Sequence, residues 1–214
     1  DWKERGITLR QETAFPYSEN STITIAEGKG TFNLMVRYPG WVHPGEFKVS
    51  VNGKPADIIT GPSSYVSINR KWKKGDVVNI NFPMHSSLRY LPNEPQYVAL
   101  MHGPILLGMK TGTESMASLI ADDSRFGQYA GGPKQPIDKA PILINNDIAS
   151  IPSQLTPVSG KPLHFTLSTR TENKIEGELQ PFFEIHDSRY MIYWLALTEG
   201  SYKQYIDNIA KQEQ

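Results

Sequence analysis

The chain of 214 residues contains no cysteine. That removes disulfides, thiolate metal ligands and a cysteine nucleophile, and it leaves the redox compartment undecided. No stretch approaches the roughly 20 consecutive apolar residues that span a bilayer. Neither sign of charge dominates, with 22 Lys and Arg against 22 Asp and Glu, so no bulk field draws the chain to nucleic acid or to an anionic membrane. A G-x-S-x-G elbow, a phosphate-binding glycine loop and a C-x-x-C pair are all missing. The five histidines, at 43, 85, 102, 164 and 186, never fall at H-x-x-x-H spacing. There is no initiating Met and no signal-like start. The chain opens on Asp1-Trp2-Lys3-Glu4-Arg5 and runs straight into a strand pattern, which reads as a piece excised from a longer protein.

What the sequence does have is alternation. Phe32, Leu34, Val36 and Tyr38 alternate with Asn33, Met35 and Arg37, a period of two that turns one face of a β-strand to a core. Pro39-Gly40 stops it. Phe47, Val49 and Val51 resume it, and Asn52-Gly53 follows, a dipeptide that tolerates positive φ at both centres of a type I′ hairpin. Ile7–Phe15 and Ser21–Ala26 read as strands before this stretch. Tyr65–Asn69 and Val77–Phe82 read as strands after it, with Lys71–Asp76 as the turn between them. Tyr97–Met101 and Ile105–Met109 are apolar runs broken by His102-Gly103-Pro104, which suggests a bulge or a strand that changes sheets.

Eight or nine short strands at even spacing predict an all-β fold, an antiparallel β-sandwich of jelly-roll or immunoglobulin-like type. The sandwich is expected over 1–110. A loop-rich connector is expected over 111–160, rich in Gly, Pro, Ser and Asp, with Ser115–Ala121 as one short helix. Residues 161–214 are expected to add a small second β portion and a short C-terminal helix packing on the sandwich. Leu163–Leu167, Leu179–Ile185 and Tyr190–Leu197 supply the strands. Ser201 with Gln204 resembles a capping box, and Tyr202, Tyr205, Ile206 and Ile209 follow at helical spacing.

Two tetrapeptides rhyme, Asp122-Asp123-Ser124-Arg125 and His186-Asp187-Ser188-Arg189. Each places a carboxylate two residues before an arginine. Asp123, Arg125, His186, Asp187 and Arg189 are candidates for a polar loop site that accepts sugar hydroxyls, or that holds calcium through oxygen ligands. The plainer alternative is an Asp that caps a turn and pairs with its neighbouring Arg. Trp41, after Pro39-Gly40, and Trp72, among lysines, are candidates for sugar stacking. The alternative is that both fold over the sandwich ends, because large aromatics contribute heavily to burial. Exposure of Trp41, Trp72 and Tyr90 separates the two readings. Glu178 and Glu184 are possible paired carboxylates, with no spacing that marks them.

Six segments together carry a resemblance. They are F-N-L-M-V-R-Y-P-G-W (32–41), V-S-V-N-G (49–53), Y-V-S-I-N-R-K-W-K-K-G-D (65–76), Y-V-A-L-M-H-G-P-I-L-L-G (97–108), D-D-S-R (122–125) and P-F-F-E-I-H-D-S-R-Y-M-I-Y-W (181–194). In order and spacing they resemble the region C-terminal to the catalytic domain in glycoside hydrolase family 127 and its relatives. This is the β-L-arabinofuranosidase group, long catalogued as a domain of unknown function and abundant in gut Bacteroidetes. The resemblance implies an active site in an N-terminal (α/α)₆ barrel, the partner of this region, with a cysteine nucleophile on a zinc ion and a glutamate acid/base. None of that machinery carries over to a chain without cysteine. What carries over is a non-catalytic accessory β-sandwich that needs no cofactor of its own, any zinc lying in the barrel. A periplasmic or extracellular parent is implied, and an oligosaccharide is a possible ligand. Two alternatives stand beside it. One is an independent carbohydrate-binding module. The other is a protein-interaction sandwich, which lacks the cysteine pair of immunoglobulin domains.

Overall fold

The first run of alternating segments closes into a sandwich because most of its strands have one apolar face to bury; Thr8–Thr13, expected to turn Leu9 inward, is instead exposed from Leu9 on. In this computed structural model residues 1–114, 116 and 139–212 are described. The chain divides into two compact units, Asp1–His85 and Ser86–Gln214.

The first unit holds β1 (Thr8–Thr13), β2 (Asn20–Glu27), β3 (Lys29–Tyr38), β4 (Lys48–Val51), β5 (Lys54–Pro55), β6 (Ser64–Lys73) and β7 (Val77–Asn81). Five of these make an antiparallel sheet in the order β1-β2-β7-β4-β5. Strands β3 and β6 form the second layer, in register from Lys29 opposite Lys73 to Tyr38 opposite Ser64. Phe32, Val36, Tyr38, Val66 and Trp72 of that pair share one core with Ile25, Val49, Val51, Val78 and Ile80 of the five-stranded sheet. This is the expected β-sandwich. The stretch 32–53 therefore crosses between layers, since β3 pairs with β6 while β4 pairs with β7. Asn52 and Gly53 both take positive φ, 53° and 78°, and join β4 to β5 as the dipeptide predicts.

One local expectation needs correction. Lys71–Asp76 is not all turn: β6 runs on to Lys73, and the tight turn is left to Lys74 and Gly75. Trp72 continues the inward series Val66, Ile68, Arg70. Two lysines flank an inward residue because they occupy the outward positions of the same strand. Asp76, 1% exposed, fixes the turn. Its carboxylate accepts from Asn52 Nδ2 at 2.9 Å and from the Lys73 N–H at 3.0 Å, with Arg70 at 3.7 Å.

The second unit holds β8 (Ser86–Leu91), β9 (Glu94–His102), β10 (Ile105–Gly112), β11 (Ile142–Ile144), β12 (Leu155–Pro157), β13 (Phe165–Leu167), β14 (Arg170–Glu172), β15 (Leu179–Pro181), β16 (Arg189–Met191), β17 (Trp194–Leu197) and α1 (Glu199–Gln212). Its core gathers Val98, Leu100, Leu107, Met109, Leu143, Ile151, Phe165, Leu179 and Trp194. Gly103 and Pro104 form the hairpin turn of β9 and β10. Strand β10 then changes partner: Ile105 and Leu106 pair with β9, Leu107–Met109 with β15, and its end with β16.

The boundaries of the units differ from those read in the sequence. The first unit ends at His85, not near residue 110. Strands β9 and β10 pair with β15, β16 and β17, from the far end of the chain. So 161–214 is no separate addition to the first sandwich; it completes the sheet that β8–β10 begin. Part of the expected connector is regular as well. Ile142–Ile144 is a buried strand parallel to β17, and Ile148–Gln154 is a 3-10 segment. The helix expected over Ser115–Ala121 lies outside the described residues.

Candidate functional site

Proline stops two strands of the first unit beside an aromatic residue. Phe15 precedes Pro16 after β1, and Trp41 follows Pro39-Gly40 after β3. The two rings stack with centroids 6.2 Å apart. They line a groove of about 400 Å³ with Ile23, Ile80 and Phe82 as its apolar floor and Gln11, Thr13 and Arg37 at its polar edge. Arg37 lies over the Tyr65 ring at 5.0 Å, which holds its guanidinium outward on β3. An aromatic wall beside hydrogen-bonding side chains suits a ring with one apolar face and several hydroxyls. Trp41 is half-buried, so one candidate for sugar contact sits in a concave surface.

Trp72 does not. It is fully buried, its Nε1 donates to the Phe32 carbonyl at 3.0 Å, and its ring packs on Phe32 at 5.6 Å. No face remains for a sugar, and the stacking role read for Trp72 is withdrawn. Tyr90, on β8, is 51% exposed.

In the second unit His186 and Asp187 are exposed and Arg189 is half-buried. Asp187 has a φ of +49°, a left-handed conformation that Asp tolerates better than most residues. The turn is tied to the end of β10. Ser188 Oγ donates to the Gly112 carbonyl at 3.0 Å, and Arg189 Nε donates to the Glu114 carbonyl at 2.7 Å. Arg189 thus has an anchoring contact, while His186 and Asp187 face water. Asp123 and Arg125, the rhyming pair, lie outside the described residues. Glu178 is engaged by Lys161 Nζ at 2.9 Å.

A second set of candidate metal ligands stands apart from those considered in the sequence. Among the described residues, His43, Glu46 and His85 bring three ligand atoms within 4.8 Å of one another. Sequence reading passes over them because His85 lies 39 residues beyond Glu46. The only local signal is H-P-G-E over 43–46.

Comparison with known proteins agrees with the division seen in the fold. Residues 1–84 match the family model described as the middle domain of glycoside hydrolase family 127 β-L-arabinofuranosidase, and residues 87–196 match a domain of unknown function. The junction between the two models falls at the boundary between the two units. Among solved structures, one described as a glycoside hydrolase superposes with a TM-score of 0.60 at 22% identity, covering 92% of this chain and 33% of its own. A family 127 β-arabinofuranosidase superposes at 0.57 with 22% identity, covering 89% and 33%. A family 127 β-L-arabinofuranosidase from Geobacillus stearothermophilus does so at 0.55 with 20% identity, covering 89% and 30%. The chain therefore spans about a third of the length of these neighbours, which share its fold. No curated protein matches it. With 1–84 and 87–196 accounted for in this order, the chain belongs to the glycoside hydrolase family 127 group, as its β-sandwich middle domain followed by a domain of unknown function.

Proposed function

We propose that this chain is a non-catalytic accessory region of a family-127-like glycoside hydrolase acting on plant or host glycans, whose hydrolytic centre lies in an N-terminal barrel. One observation carries the reading: two family models in sequence occupy 1–84 and 87–196, and the solved neighbours that share this fold are about three times as long. The region's work is then structural, covering the barrel and placing the polar turn 186–189 near the sugar cleft; most of 111–135, read with it in the sequence, lies outside the described residues. The exposure of His186 and Asp187 on a turn anchored to β10 supports that placement. The partner is tested by expressing the N-terminal remainder of the parent together with this chain. The two are expected to elute as one complex in size-exclusion chromatography. Separate elution of two folded species contradicts the reading.

A second reading, glycan binding by the isolated chain, is favoured by the groove beside Trp41. It predicts saturable heat on titration with arabinose-containing oligosaccharides, weakened about tenfold by Trp41→Ala, as expected for one lost aromatic contact. No heat from a folded sample removes this reading and leaves the accessory role standing.

A further inference from the structure

The three side chains at 43, 46 and 85 form a constellation that neither the accessory role nor the groove uses. His43 and His85 stack face to face, with centroids 4.2 Å apart and planes 6° from parallel. Glu46 reaches both: its Oε2 lies 2.5 Å from His85 Nε2 and 3.9 Å from His43 Nδ1. Ligand atoms around a tetrahedral zinc ion stand about 3.4 Å apart, given bonds of about 2.1 Å. The two separations bracket that value, and the parallel rings must turn toward each other for their in-plane lone pairs to meet at one ion.

The backbone beneath is held firmly. The buried Tyr38 hydroxyl donates to the His43 carbonyl at 3.0 Å and accepts from the Gly45 N–H at 3.3 Å, clamping the turn 43–46. Across from it, the Met84 N–H donates to Glu19 Oε1 at 2.8 Å, and Met84 itself is buried beside His85. The ligand side chains remain partly exposed, His43 at 63% and Glu46 and His85 at 40%, so an ion can enter from solvent.

From this geometry we infer that His43, Glu46 and His85 form a binding site for a divalent transition-metal ion in the first unit. Two imidazoles and one carboxylate are the ligand types that zinc, nickel and copper take, whereas calcium prefers oxygen alone. Three protein ligands leave at least one coordination position to water. The bound ion joins the turn after β3 to the segment after β7.

The test is calorimetric titration of the chelator-stripped 214-residue chain with zinc chloride, with cobalt(II) absorption as a second readout. One equivalent is expected to bind, and cobalt is expected to show the intense visible bands of a tetrahedral site. His43→Ala, Glu46→Gln and His85→Ala should each weaken zinc at least about tenfold, since loss of even an outer contact to a metal ligand costs 10- to 100-fold. His164→Ala, at a histidine elsewhere in the chain, should leave the affinity unchanged. Zinc should also raise the melting temperature of the parent chain but not of His43→Ala. Should His85→Ala fail to fold, His43→Ala decides, because its side chain is mostly in water. Absence of saturable uptake overturns the inference. So does a folded His43→Ala variant that binds zinc and cobalt as the parent chain does.

Discussion

Asp76 shows how one side chain can set the behaviour of a unit. Burial pushes its carboxyl up. The Asn52 hydrogen bond, the Lys73 N–H and the positive charges of Arg70 and Lys73 together outweigh burial and hold it below the ordinary carboxylate value. A group depressed in the folded state stabilises fully above its unfolded value, about 4, and loses that contribution as pH falls through the folded value. Melting temperature followed from pH 7 to pH 2.5 should therefore drop in the acid range, and the drop should be shallower in Asp76→Asn. At pH 7, Asp76→Ala should cost about 2–3 kcal/mol, because the Asn52 amide and a backbone N–H lose their acceptor. Trp72 makes the complementary case. Replacing it with Ala should cost about 3–5 kcal/mol by opening a cavity under Phe32, while glycan titration of the surviving folded fraction should be unchanged. A selective loss of sugar binding would return Trp72 to the list of contact residues.

At the scale of elements, the alternating strands are legible in the sequence and the rest follows from pairing. Strands β3, β4 and β7 meet a core on one side and water on the other, so Phe32, Val36, Val49 and Val78 announce their faces. Strand β9 does not, because Val98, Ala99 and Leu100 are all buried in succession and a strand covered on both faces carries no period. One of its partners, β17, lies almost a hundred residues away and is invisible locally. The three-residue strands β11 to β14 exist only through their neighbours. The helix is legible in its face but not in its start: the chain caps on Thr198, not Ser201. Thr198 Oγ1 accepts from the Ser201 N–H at 3.2 Å, and the Thr198 carbonyl accepts from Tyr202 N at 2.8 Å. Thr198→Ala should cost about 1 kcal/mol, visible as faster hydrogen exchange in the first turn of α1. Unchanged protection there would assign the cap elsewhere. Gly28, at φ +87°, would bring a Cβ within 2.1 Å of the Gly6 carbonyl oxygen. A side chain there must displace backbone, which is why this turn between β2 and β3 is glycine. Of the candidate site, Trp41 is legible as an aromatic released by Pro39-Gly40. The histidine–glutamate set is not, since only folding brings residue 85 to the turn at 43–46.

At the scale of the whole molecule, two cores stand in two units, and the family boundary runs between them. Calorimetric unfolding should accordingly show two transitions, with Trp72→Ala lowering only the one that belongs to Asp1–His85. A single transition shifted as a whole would mean that the units unfold as one. The accessory role proposed for these two units requires that they perform no hydrolysis by themselves. The most direct test is release of p-nitrophenol from p-nitrophenyl β-L-arabinofuranoside by the purified 214-residue chain, measured beside a family 127 β-L-arabinofuranosidase at equal concentration as the positive control. Turnover is expected from the control and none above buffer from the chain. Turnover by the chain alone, surviving a second purification and absent from a heat-unfolded sample, would contradict the accessory role and place a catalytic centre inside these two β units.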